Sequence, residues 1–269
     1  MTGFPSLVGR RVVVTGGTRG LGRAMTYGLL RAGARVAVVG TAPSRWAEET
    51  NQQAEEIASA GNFHLTFGDL SAAADCQRVT QEILAAFGRI DVLVNNAGAR
   101  IDYPGAPFWR VTTDEWNRIV RTNCDSVFLM SRCAVPSMIE RGFGKIINIS
   151  TNTRTMAKQS FTPYGPSKAF VEACTRAWAE ELEGTGVTVN ALLPGGAVDT
   201  SGDVGDGKPA KSSSRPASVM VAPLLWLAAD ESSGFSGLRL VADRWDIKLG
   251  LPDRIAGARE DGADAPGIM

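Results

Sequence analysis

Tyr164 and Lys168 stand four positions apart in the run Tyr164-Gly165-Pro166-Ser167-Lys168, a spacing that places both side chains on one face of a helix. A free phenol titrates at about 10, so tyrosine exchanges protons poorly at neutral pH unless a cation lowers that value. A lysine one turn away supplies such a cation. By itself the pair is common on any helix surface. Far upstream, Thr15-Gly16-Gly17-Thr18-Arg19-Gly20-Leu21-Gly22 joins a short apolar run to an amphipathic stretch. Glycine at 16 permits a tight turn. Glycines at 20 and 22 let backbone approach a pyrophosphate and let the helix approach a sheet. The N–H groups and the positive end of the helix dipole favour an anion there. A glycine turn without a ligand is the plainer reading, but a strand before it and a helix after it favour the nucleotide. A third group, Asn95-Asn96-Ala97-Gly98, closes another apolar run. Both loops border one crevice if the strands are parallel, because ligands of such sheets bind beyond the carboxyl ends of the strands.

The elements that must position these residues alternate regularly. Apolar runs at 12–15, 35–39, 63–67, 90–95, 145–150, 187–193 and 238–242 read as strands. Most are near-continuous Val, Ile and Leu, as expected of parallel strands covered on both faces. Amphipathic stretches at 20–32, 71–87 and 169–183 lie among them, the first with Leu21, Ala24, Met25 and Leu29 on one stripe. The pattern predicts a single-domain α/β fold over 1–249, doubly wound (Rossmann-type), with a seven-stranded parallel sheet and helices on both faces. Residues 201–217, rich in Gly, Ser, Lys and Pro, are expected to form a mobile substrate loop. Residues 250–269 are expected to form a partly disordered tail.

Composition narrows the function. The 269 residues are 44% hydrophobic, with 28 basic against 28 acidic side chains and no dense basic run. No global field steers the chain to nucleic acid or to acidic membranes. The longest apolar run, 219–229, is about half a membrane span and reads as a buried helix. Without a charged start followed by an apolar stretch and a cleavage site, the expected location is cytoplasmic. Cys76, Cys124, Cys133 and Cys174 are scattered and His64 is the sole histidine. No metal site, disulfide framework or histidine-based triad is expected.

Taken in order, TGxxxGxG, NNAG and YxxxK resemble the short-chain dehydrogenase/reductase family, including its 3-oxoacyl-carrier-protein-reductase-like members, over residues 8–243. The resemblance implies catalytic roles for Asn123, Thr151, Tyr164 and Lys168. It implies cofactor contacts at Gly16, Thr18, Arg19, Gly20, Leu21, Gly22, Thr41, Asp69, Leu70, Asn96, Ala97, Gly98, Pro194, Gly195, Val198 and Thr200, besides Tyr164 and Lys168. Asn123 matches an asparagine that holds a relay water, Asp69-Leu70 a pair that contacts adenine, and Pro194-Gly195 the nicotinamide end. Three departures stand out. Thr151 occupies the place of the family's serine, thirteen residues before the tyrosine, with Ser150 just before it. Gly196-Ala197 lengthens the run after Pro194 and leaves the alignment of Val198 and Thr200 open. Asp243-Arg244-Trp245-Asp246 replaces a usual glycine pair.

The expected reaction is hydride transfer between a nicotinamide and a small-molecule carbonyl or alcohol. NADP(H) is expected over NAD(H), with NAD(H) also usable. No acid follows the second strand before Glu48, whereas Arg19, Thr41, Ser44 and Arg45 can approach a 2′-phosphate. Arg45 starting a solvated helix is an equal alternative. Apolar residues on the helices flanking the fifth strand, Trp116, Val120, Phe170 and Trp178, predict a homodimer or homotetramer. The competing function is a cofactor-binding regulatory or scaffold protein on the same fold, which would not need all four catalytic residues.

Overall fold

The computed structural model describes residues 5–101, 105–199 and 214–260. Strands β1 (Arg11–Thr15), β2 (Arg35–Gly40), β3 (Phe63–Phe67), β4 (Val92–Asn95), β5 (Gly144–Ile149) and β6 (Val187–Leu193) alternate with helices. The helices are α1 (Gly20–Arg31), α2 (Arg45–Ile57), α3 (Ala73–Phe87), α4 (Thr113–Val120), α5 (Ser126–Glu140), the short α6 (Thr153–Met156) and α7 (Tyr164–Glu181). A two-residue pair follows, β7 (Val198–Asp199) with β8 (Arg215–Pro216), then α8 (Val221–Ala228), β9 (Arg239–Val241) and α9 (Leu251–Ala258). The seven long-sheet strands run in the order β3-β2-β1-β4-β5-β6-β9, all parallel. The expected seven-stranded, doubly wound sheet is therefore present.

Because side chains alternate across a strand, β1 feeds two cores. Val12 and Val14 join Met25, Leu29 and Leu224 on one face, while Val13 joins Val79, Ile83, Met130 and Met138 on the other. The apolar run at 219–229 forms α8, whose Leu224 to Ala228 are buried, as expected. No helix among the described residues is long and apolar enough to cross a membrane. Two boundaries differ from the sequence expectation. Helix α7 begins five residues before 169, at Tyr164, since a proline in the first turn lacks only an N–H that would be unpaired there. The expected irregular tail is helical over Leu251–Ala258, anchored by buried Ile255 and Ala258 and by an antiparallel bridge between Leu240 and Arg259.

Strand order reverses between β1 and β4, which are neighbours although β2 and β3 lie between them in sequence. A crevice opens beyond the carboxyl ends of these two strands, where ligands of such folds bind. Thr15 and Asn95 end the strands that border it.

Candidate active site

The glycine turn is built to keep side chains out. Gly16 (φ 64°) and Gly20 (φ 55°) take left-handed backbone that favours glycine. A Cβ on Gly22 would fall on the Gly16 carbonyl, and one on Gly17 would lie 2.8 Å from Val38. The α1 terminus therefore sits close against the turn. Asn96 fastens the two loops together: its Nδ2 donates to the carbonyls of Thr15 (2.9 Å) and Gly16 (3.0 Å). Its N–H and that of Ala97 donate to Thr15 Oγ1 at 2.9 and 3.0 Å. Arg19 is exposed at the start of α1, and Thr18 is half-buried with its carbonyl accepting from Thr50 Oγ1 at 2.8 Å. Leu21 packs on the core.

The proton-handling group assembles on the other side of the crevice. Lys168 is buried, and its Nζ donates to the Ile149 carbonyl at 2.8 Å. A Cβ built on Gly98 would lie 3.7 Å from that nitrogen and 3.4 Å from Asn123 Oδ1, so glycine leaves the approach open. The Thr151 hydroxyl lies at the Tyr164 phenol and acts to lower its pKa. Ser150 faces away and donates to Glu172 at 2.6 Å. Of the two hydroxyls that the sequence left adjacent, the threonine is the one at the tyrosine. Asn123 is fully buried in a π-helical turn, Arg121–Asp125, a device frequent at functional sites. It accepts from the Ala99 N–H at 2.7 Å and donates to the Ala99 carbonyl at 3.1 Å and to Ser167 Oγ at 2.9 Å. Ser167 in turn donates to the Tyr164 carbonyl at 2.7 Å. Asn123 thus ties the loop after β4 to the helix bearing Tyr164 and Lys168.

Electrostatics depart from the sequence expectation in one respect. Burial raises the Tyr164 phenol above its ordinary value, opposed by the Arg100 guanidinium and by the Thr151 hydrogen bond. Lys168, expected to lower the phenol, is not among the groups that do so. Burial lowers the lysine itself to about 8, with Cys124 and Glu172 favouring its charge and Arg100 opposing it. Arg100 is a charged neighbour of this pair that sequence reasoning missed. It lies in a loop with no local signal beyond its place two residues after Gly98.

After β6, Pro194 is buried and Gly195 (φ 87°) packs against Asp243 so closely that a side chain has no room. Gly196 packs equally closely against Arg215, which forms an ion pair with Asp243. Two departures noted in the sequence meet here: the Arg215 guanidinium lies over Gly196, and Asp243 supplies its counter-charge. Val198 is half-buried in the β7–β8 pair, whereas Thr200 and most of the anticipated substrate loop lie outside the described residues. At the far rim, Thr41 and Asp69 are exposed, while Leu70 is buried in the core and can offer a ligand only its backbone. A groove of about 500 Å³ lined by Arg176, Glu180, Thr188 and Ser236 lies at the amino end of β6, away from this site.

A nucleotide crevice at the strand-order reversal, faced by a buried lysine and a tyrosine–threonine pair, defines a dinucleotide-dependent oxidoreductase. The pattern of the family described as short chain dehydrogenase matches residues 10–206. Similar proteins include the 3-oxoacyl-[acyl-carrier-protein] reductase FabG of Salmonella typhimurium, 34% identical over 190 residues, covering 71% of this chain and 74% of that protein. A short-chain type dehydrogenase/reductase of Picea abies is 33% identical over 193 residues, covering 70% of this chain and 71% of that protein. A solved structure described as a short-chain alcohol dehydrogenase from Sinorhizobium meliloti 1021 superposes with a TM-score of 0.76 at 27% identity, covering 88% of this chain and 96% of that one. The chain belongs to the short-chain dehydrogenase/reductase family and is an NAD(P)-dependent oxidoreductase.

Proposed function

We propose that the chain is an NADP(H)-dependent enzyme that moves a hydride between the nicotinamide and a carbonyl or secondary alcohol, with Tyr164 exchanging the proton. The observation that carries this reading is that Tyr164, Thr151 and the buried Lys168 stand together across the crevice from a glycine turn that admits no Cβ at Gly22. The cradle suits a dinucleotide. Gly16, Thr18, Arg19, Gly20, Leu21 and Gly22 would hold its phosphates, and Asp69 with the Leu70 backbone its adenine. Asn96, Ala97, Gly98, Pro194, Gly195, Val198 and Thr200 would line the nicotinamide half, with Tyr164 and Lys168 on its ribose. When bound, the nicotinamide supplies the hydride in reduction and accepts it in oxidation.

In reduction, Tyr164 Oη donates its proton to the carbonyl oxygen while Thr151 donates a hydrogen bond to the same oxygen. The fixed donor acts where charge develops, which favours the transition state over the ground state. The phenol enters the reaction protonated; burial makes that proton harder to release, and Arg100 and Thr151 oppose that effect. Lys168 holds the Ile149 carbonyl and fixes the end of β5. Asn123 has its amide committed to Ala99 and Ser167, so a relay water would rest on its main chain. The test is NADPH consumption across a panel of ketones, quinones and 3-oxoacyl thioesters, in which at least one class should turn over.

The two hydroxyls separate cleanly by mutation. Thr151→Ala should lower kcat by roughly 10²-fold, as loss of one oxyanion donor does. Ser150→Ala should change it only a few-fold. A reversed ranking would reassign the donor.

Cofactor preference rests on the exposed rim. Arg19 and Thr41 are exposed near the end of β2, and no Asp or Glu follows that strand in sequence before Glu48. A forked guanidinium suits a 2′-phosphate. Ser44 caps α2 by accepting from Ala47 at 3.3 Å, and Arg45 stacks on Trp46 at 4.1 Å, which makes Arg19 the principal phosphate ligand in this reading. Thr41→Asp should move the kcat/KM ratio from NADPH toward NADH. Equal or better efficiency of the native chain with NADH would refute the preference.

A homodimer or homotetramer is the expected assembly. Trp116 on α4, Phe128 on α5 and Phe170 on α7 are all more than 40% exposed, an apolar area suited to a symmetric interface. Light scattering at micromolar concentration should give a multiple of the 28.5 kDa chain. A monomer would contradict it.

A further inference from the structure

Three segments distant in sequence meet at one guanidinium behind Thr151. Arg239, at the start of β9, donates from Nη2 to the Thr151 carbonyl at 3.0 Å and from Nε to the two Glu172 oxygens at 3.0 and 2.9 Å. Glu172 lies one turn beyond Lys168 on α7 and accepts from Ser150 Oγ at 2.6 Å. On the opposite side the Glu260 carboxylate pairs with Arg239 and reaches Arg244 at 3.0 Å. The Glu260 N–H also donates to the Arg239 carbonyl at 2.9 Å, beside the Leu240–Arg259 bridge. Side-chain exposure of Arg239, Glu172 and Glu260 is 12%, 15% and 18%, so these contacts are shielded more than surface pairs are. Two carboxylates balance two guanidiniums. Downstream, Asn152 caps α6 by accepting from the Thr155 N–H at 2.8 Å, so the peptide carrying Thr151 is gripped from both directions.

We propose that Arg239, paired with Glu172 and clamped by Glu260, is the positioning residue for Thr151, so that the C-terminal segment aims the active-site hydroxyl. This rests on the role given to Thr151 above. None of the network side chains needs to touch substrate or cofactor. The fork of arginine is what allows one side chain to serve the carbonyl and both carboxylates; lysine, a point charge on a flexible stem, cannot.

The test does not require turnover. The chain has three tyrosines, so ring-labelled protein gives three resonances, with Tyr164 assigned by Tyr164→Phe. A hydrogen bond from Thr151 stabilises the phenolate, and its loss moves the Tyr164 titration upward. Arg239→Gln should displace that titration upward, as should Thr151→Ala, and combining the two should add nothing further, the sign of one shared route. Arg239→Lys should fail to restore the native midpoint. With the best carbonyl of the panel, Arg239→Gln should also lower kcat about tenfold at unchanged cofactor affinity, a misplacement effect. An unmoved Tyr164 titration in folded Arg239→Gln, or a further shift when it is added to Thr151→Ala, overturns the proposal. Should Arg239→Gln not fold, Glu260→Gln decides: an upward displacement supports the clamp and an unmoved midpoint overturns it. Failure of the functional reading would appear separately, as absent turnover in the native chain.

Discussion

Replacing Tyr164 by phenylalanine should reduce kcat by about 10²- to 10⁴-fold, the range a positioned general acid contributes, while cofactor affinity stays within a few-fold. The substitution removes one oxygen from a half-buried ring and leaves the α7 backbone contacts from Ser167 intact. Thr151 loses its phenol partner but remains at the carbonyl site, so some oxyanion stabilisation survives. Stopped-flow reduction at saturating NADPH, with cofactor binding measured by fluorescence, separates the two effects. Retention of most of the native rate would assign the proton to another group, and Lys168, brought down to about 8 by burial, is the neighbour that titrates nearest to neutral pH.

The second large effect concerns Lys168 and carries a pH signature. Burial brings its ammonium down to about 8, so the cation is present below that pH and is lost as pH rises through it. Reductive kcat/KM, which reports ionisations of the free enzyme, should be level below pH 8 and fall above it. Lys168→Met should lose activity by about 10²-fold or more and also weaken cofactor binding, because the lysine holds both the ribose and the Ile149 carbonyl in this reading. Lys168→Arg, which stays charged, should remove the decline above pH 8 from whatever activity it keeps. A native profile that stays level through pH 9 would sever the link between this lysine and turnover. The same lowered ionisation acts on stability. Between about 8 and the ordinary lysine value of 10.5 the unfolded chain binds a proton that the folded chain does not, so this group makes folding more favourable as pH rises across that window.

How far the sequence discloses the site depends on how local each signal is. Strands at Phe63–Phe67 and Val187–Leu193 were readable to the residue, since each is a short β-favouring run bounded by Gly, Asn or Pro. The glycine turn, Asn96 and the Tyr164–Lys168 spacing are likewise local patterns, and each side chain sits at the crevice. Helix α9 was not readable, because Leu251, Ile255 and Ala258 are a thin stripe in a Gly- and Pro-containing stretch that owes its order to docking on β9. The π-helical turn around Asn123 has no sequence pattern that sets it apart from ordinary helix. Least legible of all are long-range ionic contacts. Arg239 and Glu172 are separated by 67 residues and Arg215 and Asp243 by 28, and nothing in either neighbourhood names the partner. Ser150 and Thr151 show the same limit at short range. Adjacent hydroxyls are equivalent on paper and only the partners, Glu172 for one and Tyr164 for the other, tell them apart.

The most direct measurement follows deuterium from nicotinamide-labelled NADPH into product, for the native chain and for Tyr164→Phe, with a carbonyl from the panel that supports turnover. The label should appear at the former carbonyl carbon in the native reaction, with solvent supplying the hydroxyl proton, and product should all but vanish in Tyr164→Phe. Unlabelled alcohol, or labelled alcohol formed at a native rate without the phenol, would contradict hydride transfer governed by Tyr164.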